Sequence, residues 1–177
     1  MAQGFTVFDT AIGYCGIAWG ERGVVSVRLP DGSAERTRAR LRASVSDSAE
    51  TEPPPHIRQA IAAIVALLRG EPRDLREVRL DLEGVPEFHR RVYEVARTIP
   101  PGKTLTYGDV ARRLGMPGSA QAVGRALGSN PFPIVVPCHR VLGADGRMVG
   151  FSAPGGVATK RRMLVIEGAR PDEPTLF

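Results

Sequence analysis

The sequence predicts an α+β protein with a small N-terminal domain on an antiparallel sheet and a mainly helical C-terminal domain. Three observations predict it. β-rich runs separated by turn residues fill positions 5–29. Apolar residues recur at helical spacing over 57–68 and 88–99. Two short helices joined by a glycine-containing turn follow at 107–127, a helix-turn-helix pattern. The pattern changes at 83–86, so we expect domains at 1–84 and 85–177.

The N-terminal elements begin with three predicted strands, at 6–8, 16–19 and 24–29, that form a meander. A helix over 33–43 follows. Its arginines alternate with small residues instead of sharing one helix face, so we interpret them as a solvated charge run: Arg36, Arg38, Arg40 and Arg42. Positions 44–55 are polar and proline-rich, which indicates a loop. A helix over 57–68 stops at Gly70, and the alternation at 78–82 predicts one more strand.

The C-terminal elements begin with an amphipathic helix over 88–99. Thr106 and Asp109 resemble a capping box that opens the next helix, which runs to about Leu114. Ser119 is predicted to cap a second short helix, 120–127, rich in small residues. Small side chains permit close approach to a partner surface or tight packing on the first helix, and both can hold. A short buried strand or extended segment at 134–136 then delivers Cys138, and a last helix spans 158–167.

The composition is that of a globular protein without membrane segments. The 177 residues are 42% hydrophobic and 24% charged. The longest apolar stretch, 57–68, is too short to cross a bilayer, and the N-terminus lacks the basic and apolar regions of a secretory signal. Two cysteines make no disulfide framework, so we expect a cytoplasmic protein.

Positive charge is concentrated in the C-terminal half. Residues 1–84 carry a net charge of −1, whereas residues 85–177 carry +6. A basic half indicates a polyanionic partner such as nucleic acid. A merely solvated basic face is the alternative, and charge by itself does not decide between them.

Cys138 lies in a run whose pattern is far more informative than a cysteine beside a histidine. That pair alone is also typical of a buried structural thiol. The whole run, 130–141, reads NPFPIVVPCHRV, and it is followed by Gly150 and by Glu167-Gly168. Together with IPPGKTLTYG at 99–108 and AVG at 122–124, it resembles the O6-alkylguanine-DNA alkyltransferases (methylated-DNA–protein-cysteine methyltransferases). The resemblance covers positions 88–169, and the N-terminal half matches only in its strand pattern.

The resemblance implies an RNase H-like N-terminal domain, a winged helix-turn-helix-like C-terminal domain, and DNA repair by direct alkyl transfer. An alkyl group on O6 of guanine, with O4-alkylthymine as an alternative substrate, would pass irreversibly to the thiolate of Cys138 in a single turnover. By resemblance, His139 is the base, acting through a water, and Glu167 orients it. Asn130 fixes the turn beside the thiol, and the Tyr107 hydroxyl lies near the guanine N3.

The resemblance also implies groups that bind substrate and DNA. Backbone atoms of Cys138 and Val141 would read the exocyclic amine, and the Ser152 N–H would meet O6. Phe151 stands where tyrosine is common, and Ala153-Pro154 resembles an insertion. A monomer would bind the minor groove of double-stranded DNA and flip the base. The residues expected to touch DNA are Thr106, Gln121, Ala122, Gly124 and Arg125, with Gln121 where arginine is usual and Arg125 as its partial substitute.

We expect neither a cofactor nor a metal. No glycine-rich fingerprint for S-adenosylmethionine or a nucleotide is present, which fits a reaction in which DNA itself donates the alkyl group. Zinc occurs in some relatives, but Cys15, His56 and His89 have no paired ligand spacing. We interpret Cys15 as a buried strand residue and His89 as lying on an exposed helix face.

Three other functions compete with repair. A non-catalytic module that only recognises alkylated guanine would lack the reactive cysteine, which this chain has. A regulator switched by self-alkylation would have to act without a further DNA-binding or activation domain. A Cys–His hydrolase fits poorly with the proline-rich approach to Cys138 and with the helix-turn-helix.

Overall fold

A computed structural model of the chain describes residues 2–146 and 156–169. The N-terminal half has a four-stranded sheet in the order β3-β2-β1-β4. Its strands are β1 (Ala2–Thr10), β2 (Gly13–Gly20), β3 (Gly23–Arg28) and β4 (Ala49–Glu50). The first three form the predicted antiparallel meander, and the short β4, in the expected loop, pairs parallel to β1. With the helices described below, the predicted α+β class is confirmed.

Two helices cover opposite faces of this sheet. Each packs on alternate residues of β2, since successive side chains of a strand point to opposite sides. α1 (Ala34–Ser44) packs Leu41 against Phe5 and Ala18. α2 (Pro55–Leu68) buries its apolar stripe in the larger core cluster, which contains Cys15 and Ile17. The predicted charge run on α1 is solvated: Arg38 pairs with Glu50 and Arg40 with Asp31.

Four helices form most of the C-terminal half: α3 (Glu87–Arg97), α4 (Tyr107–Arg113), α5 (Ala120–Gly128) and α6 (Gly156–Ile166). The capping box of α4 is present, with Asp109 N donating to Thr106 Oγ1 at 3.0 Å and Thr106 N donating to Asp109 Oδ2 at 2.9 Å. The prediction for Ser119 is wrong. Its backbone, at φ −104° and ψ 21°, lies outside the extended region of a capping residue, and its side chain makes no cap hydrogen bond.

The strand predicted at 78–82 is also wrong. This segment pairs with β3 only at Val24, through Val24 N to Arg79 O and Asp81 N to Val24 O, both at 2.8 Å. A single bridge is not enough to form a strand.

The prediction that His89 lies on an exposed helix face is also wrong. His89 is half-buried, and its ring stands edge-on to those of Phe88 and Tyr93.

The segment before Cys138 is a folded turn and not the extended segment that we expected. Ile134 has a φ of 76°, and within the described residues the only β-bridge of this segment joins Pro133 to Val136. Prolines at 131, 133 and 137 remove the backbone donors that a strand ladder needs. Cys138–Arg140 then form a single turn of 3-10 helix. Adjacent residues of an extended chain would point to opposite sides, but Cys138 and His139 lie in this helical turn.

The two halves are joined by hydrogen bonds beside the C-terminal motif. Val27 N of β3 donates to Pro131 O at 2.9 Å. Arg97 Nη2 donates to the carbonyls of Leu75 and Val78 at 2.9 and 2.8 Å. The larger core cluster contains residues from both sides of position 84, so the sheet supports the segment that carries Cys138.

Candidate functional site

Asn130 holds the turn that presents Cys138. Its side-chain Nδ2 donates to Val136 O at 2.9 Å, and its Oδ1 accepts from Phe132 N at 2.8 Å. These two bonds close the proline-rich loop upon itself. Cys138 N donates to Val136 O at 2.7 Å, which continues the same turn to the thiol.

The Cys138 thiol is buried, with 7% of the residue exposed. Burial raises the pKa of this thiol above 9.0. Hydrogen bonding from Asn130, the charge of Lys160 and the backbone amides of Cys138 and His139 act in the opposite direction and favour the thiolate. The site thus keeps the thiol protonated at rest and places around it the groups that stabilise its anion.

His139 is fully buried, with 0% of its surface exposed. Its Nε2 lies 2.9 Å from Glu167 Oε2. Burial lowers the pKa of His139 below 6.5 and outweighs the opposite effect of Glu167, so the imidazole is neutral at neutral pH. Its other nitrogen, Nδ1, is buried and has no hydrogen-bond partner within residues 2–146 and 156–169. With Nε2–H donated to Glu167, Nδ1 is a proton acceptor.

Glu167 follows α6 directly and is held by more than its histidine. Its side chain is 2% exposed. Arg140 Nε donates to Oε1 at 2.8 Å, and Arg140 Nη2 donates to Oε2 at 2.7 Å. Burial acts to raise the pKa of Glu167, but the hydrogen bonds from Arg140 and His139 outweigh it and lower the pKa to about 2. The carboxylate is therefore ionised at neutral pH.

Lys160 is a site residue that the sequence did not reveal. It is 1% exposed, and its Nζ donates to Val141 O at 2.8 Å. Burial lowers its pKa, while the nearby Cys138 acts to raise it. A lysine is rarely fully buried unless it is paired. It lies in the charged run at 160–162, a pattern typical of the exposed surface of a helix.

Tyr107 reaches the site through a small parallel sheet. β5 (Leu105–Thr106) pairs with β6 (Val141–Leu142), so the start of α4 lies beside the residues just after Cys138. Tyr107 is half-buried, and burial, with a further contribution from Cys138, raises its pKa above 10.0. Its hydroxyl is therefore a hydrogen-bond donor at neutral pH.

α5 presents a narrow polar face on the outside of the helix pair. Val123, Ala126 and Leu127 are buried, whereas Gln121 and Arg125 are exposed four residues apart. Ala122 and Gly124 are half-buried, and a Cβ added at Gly124 would meet no atom within 4 Å. A flat surface can therefore approach this helix closely between its two long side chains.

Phe151, Ser152 and Ala153-Pro154 lie outside the described residues. Cys15 is a buried residue of β2, as predicted, and burial raises its pKa to about 12.

Among the described residues, no three histidine, cysteine, aspartate or glutamate side chains are grouped closely enough to hold a metal ion. In the same part of the chain, no helix is both long and apolar enough to cross a membrane.

The C-terminal half matches the family model of the 6-O-methylguanine DNA methyltransferase DNA-binding domain over residues 87–169. Over the whole chain, a methylated-DNA–protein-cysteine methyltransferase of Mycolicibacterium paratuberculosis is 37% identical, covering 98% of each protein. One from Methanothermobacter thermautotrophicus is 39% identical over 86% of this chain and 78% of its own length.

Solved structures give the same result. The O6-methylguanine methyltransferase of Mycobacterium tuberculosis superposes with a TM-score of 0.74 at 35% identity, covering 96% of this chain and 94% of that one. A structure of the M. tuberculosis protein OGT in complex with DNA gives a TM-score of 0.71 at 34% identity, covering 94% and 93%. The archaeal enzyme of Pyrococcus kodakaraensis gives 0.68 at 28% identity, covering 95% and 99%.

Proposed function

This chain belongs to the O6-methylguanine-DNA methyltransferase family, and we propose that Cys138 is the residue that accepts the alkyl group. The protein repairs DNA by transferring an alkyl group from O6-alkylguanine to one of its own cysteines. One observation carries the assignment to Cys138. Cys138 is followed directly in the sequence by His139, a buried and neutral histidine that is oriented by the Glu167 carboxylate. The other cysteine, Cys15, is a core residue of β2. The test is transfer of one methyl group from O6-methylguanine in DNA, with its position mapped on the protein.

The thiol proton leaves through His139. Nδ1 of His139 is buried and accepts no hydrogen bond from the described residues, and buried polar atoms are almost always paired. We place one water between this nitrogen and the Cys138 thiol. The water passes the thiol proton to Nδ1 as the alkyl carbon approaches, and Lys160 and the turn amides stabilise the thiolate.

The transfer is a substitution at the alkyl carbon. The Cys138 sulfur bonds to that carbon as the bond from carbon to guanine O6 breaks. Guanine takes a proton at N3 from the Tyr107 hydroxyl, which regains one from solvent, and the proton on His139 returns to solvent. The product is a chemically stable thioether, so each molecule acts once. Val141 contributes backbone groups to guanine. The roles that the resemblance implies for Ser152 and Phe151 concern residues outside those that the structure describes.

DNA lies on α5, in the minor groove. The half-buried Ala122 and Gly124 let the helix approach the groove floor. Tyr107, at the start of α4, presses on the phosphate next to the target nucleotide, and Thr106 beside it is a further contact to DNA. The base leaves the stack at a cost of about a few kcal/mol. The exposed side chain of Gln121 fills the space, and Arg125 adds the charge that Gln121 lacks. Residues 85–177 carry DNA binding and alkyl transfer, and residues 1–84 support them.

The protein works as a monomer in the cytoplasm without a cofactor. One recognition helix and one acceptor thiol in each chain suffice for one lesion. Both cysteines of the chain are free thiols, which suits a reducing compartment. The methyl donor is the DNA itself, so no methyl-carrying cofactor is consumed.

Gln121→Arg is expected to speed repair in duplex DNA several-fold while changing repair in single strands less. An arginine at this position adds a charge next to the phosphates and a longer side chain to fill the gap left by the flipped base. Single-turnover rates on matched duplex and single-stranded oligonucleotides measure the effect. Arg113→Gln, a surface change on α4, serves as a control for general charge. Equal acceleration on both substrates would reject the insertion role for Gln121.

A further inference from the structure

Arg140 is a buried arginine whose guanidinium lies along the Glu167 carboxylate. Its two parallel hydrogen bonds to that carboxylate, at 2.8 and 2.7 Å, form a bidentate pair. The third nitrogen, Nη1, donates to Ile99 O at 2.7 Å and fixes the guanidinium from the other side. Oε2 of Glu167 also meets Nε2 of His139 at 2.9 Å. Arg140, Glu167 and His139 therefore form one buried row of hydrogen-bonded side chains.

The net charge of this row depends on Arg140. With the arginine present, one positive and one negative charge balance, and the imidazole stays neutral without penalty. Without it, His139 and Glu167 would bear a buried net negative charge. A buried pair of that kind takes up a proton, because the neutral state of the pair is favoured in a low-dielectric site. That proton would leave His139 with hydrogens on both nitrogens, so Nδ1 could accept none from the thiol.

We infer that Arg140 is a positioning residue that keeps Nδ1 of His139 free to accept the thiol proton. It does so through Glu167, by neutralising the carboxylate and fixing both of its oxygens. The side-chain hydrogen bonds of Arg140 within the described residues go to Glu167 and to Ile99 O, and none goes to the Cys138 thiol. This role rests on the proposed function of Cys138 only for its kinetic readout, since the protonation of His139 can be measured directly.

The other charged groups nearby do not replace Arg140. Lys160, on α6, acts on His139 from the thiol side, and its Nζ is bound to Val141 O. In the loop that packs on the backbone of Glu167 at Gly102, the adjacent Lys103 is exposed. The groups that shift the pKa of Glu167 are Arg140 and His139 themselves.

The test is the pH dependence of alkyl transfer in the full-length protein. In the wild type, the loss of activity caused by protonation of His139 is expected below pH 6.5, because burial lowers the pKa of that residue. Arg140→Gln is expected to move this acid limb of the pH profile upward by about two pH units, with transfer about tenfold slower at neutral pH and largely recovered at alkaline pH. Arg140→Lys, which keeps the charge, is expected to leave the limb near its wild-type position.

A matched control separates this contact from charge in general. Arg97 is also an arginine that donates to backbone carbonyls, but it is half-buried and has no bond to Glu167. The acid limb of the pH profile is therefore expected to stay in place in Arg97→Gln. The ¹⁵N shifts of His139, assigned by comparison with His139→Gln, report its protonation without any transfer. A His139 that stays neutral in Arg140→Gln at neutral pH, or a rate lowered equally at every pH, would overturn the inference. A wild-type protein that transfers nothing, yet shows the expected ¹⁵N titration, would overturn only the proposed acceptor.

Discussion

Cys138→Ser is expected to reduce alkyl transfer to background while DNA binding stays at the wild-type level. A serine hydroxyl is far less acidic than a thiol, and a histidine acting through water is too weak a base to ionise it. Removal of the nucleophile from a catalytic unit costs on the order of 10⁶ in rate. The fold should tolerate the change, since Cys138 lies in a turn fixed by Asn130 and by backbone bonds.

Transfer is measured with a duplex that contains O6-methylguanine, and binding with the same duplex at equilibrium. Cys15→Ser is the matched control: it alters a buried thiol of β2 and should keep full transfer. Parallel loss of binding and transfer in Cys138→Ser would mean that the residue is structural. Residual transfer in that variant would place the acceptor elsewhere.

Glu167→Gln is expected to lower the free energy of unfolding at pH 7 by about 3–5 kcal/mol. The substitution leaves Arg140 buried without a counter-charge, the situation in which breaking a buried ion pair is costly. The pKa of Glu167 is about 2 in the folded protein and 4.5 without its surroundings. This difference is on the order of 3 kcal/mol, fully present above about pH 4.5 and lost as the pH falls to 2.

Urea unfolding of wild type and variant at several pH values tests this expectation. The stability difference between them should be largest near neutral pH and should shrink as the wild-type carboxylate is protonated. Glu71→Gln, in an exposed pair with Arg69, is the control and should cost less than about 1 kcal/mol. A Glu167→Gln variant with wild-type stability, or a difference that does not change with pH, would reject the assigned role of the pair.

The elements that the sequence predicted correctly depend on local signals. The meander, the apolar stripe of α2 and the capping box at Thr106 need only neighbouring residues to be recognised. The errors arose where tertiary contacts override local preference. The segment at 78–82 alternates like a strand but bridges only to Val24. The segment at 134–136 is bent by the prolines that flank it and by the side chain of Asn130.

The candidate site was recognised from its motif and not from its spatial arrangement. Cys138, His139 and Glu167 follow from the resemblance, but their hydrogen-bond geometry does not. The burial of Lys160 could not be predicted, because a lysine within a charged helical run has no local mark of burial. The contact between Arg140 and Glu167 joins residues that are 27 positions apart and carries no signal in either neighbourhood.

The position of the transferred group tests the assignment of Cys138 most directly. The protein is incubated with duplex DNA containing O6-methylguanine and analysed by intact-mass and peptide mass spectrometry. One adduct of about 14 Da, the mass of an added CH₂, is expected in the tryptic peptide 126–140, which contains Cys138, and none in peptide 1–22, which contains Cys15. No adduct on the protein, or an adduct in the peptide that contains Cys15, would contradict the assignment.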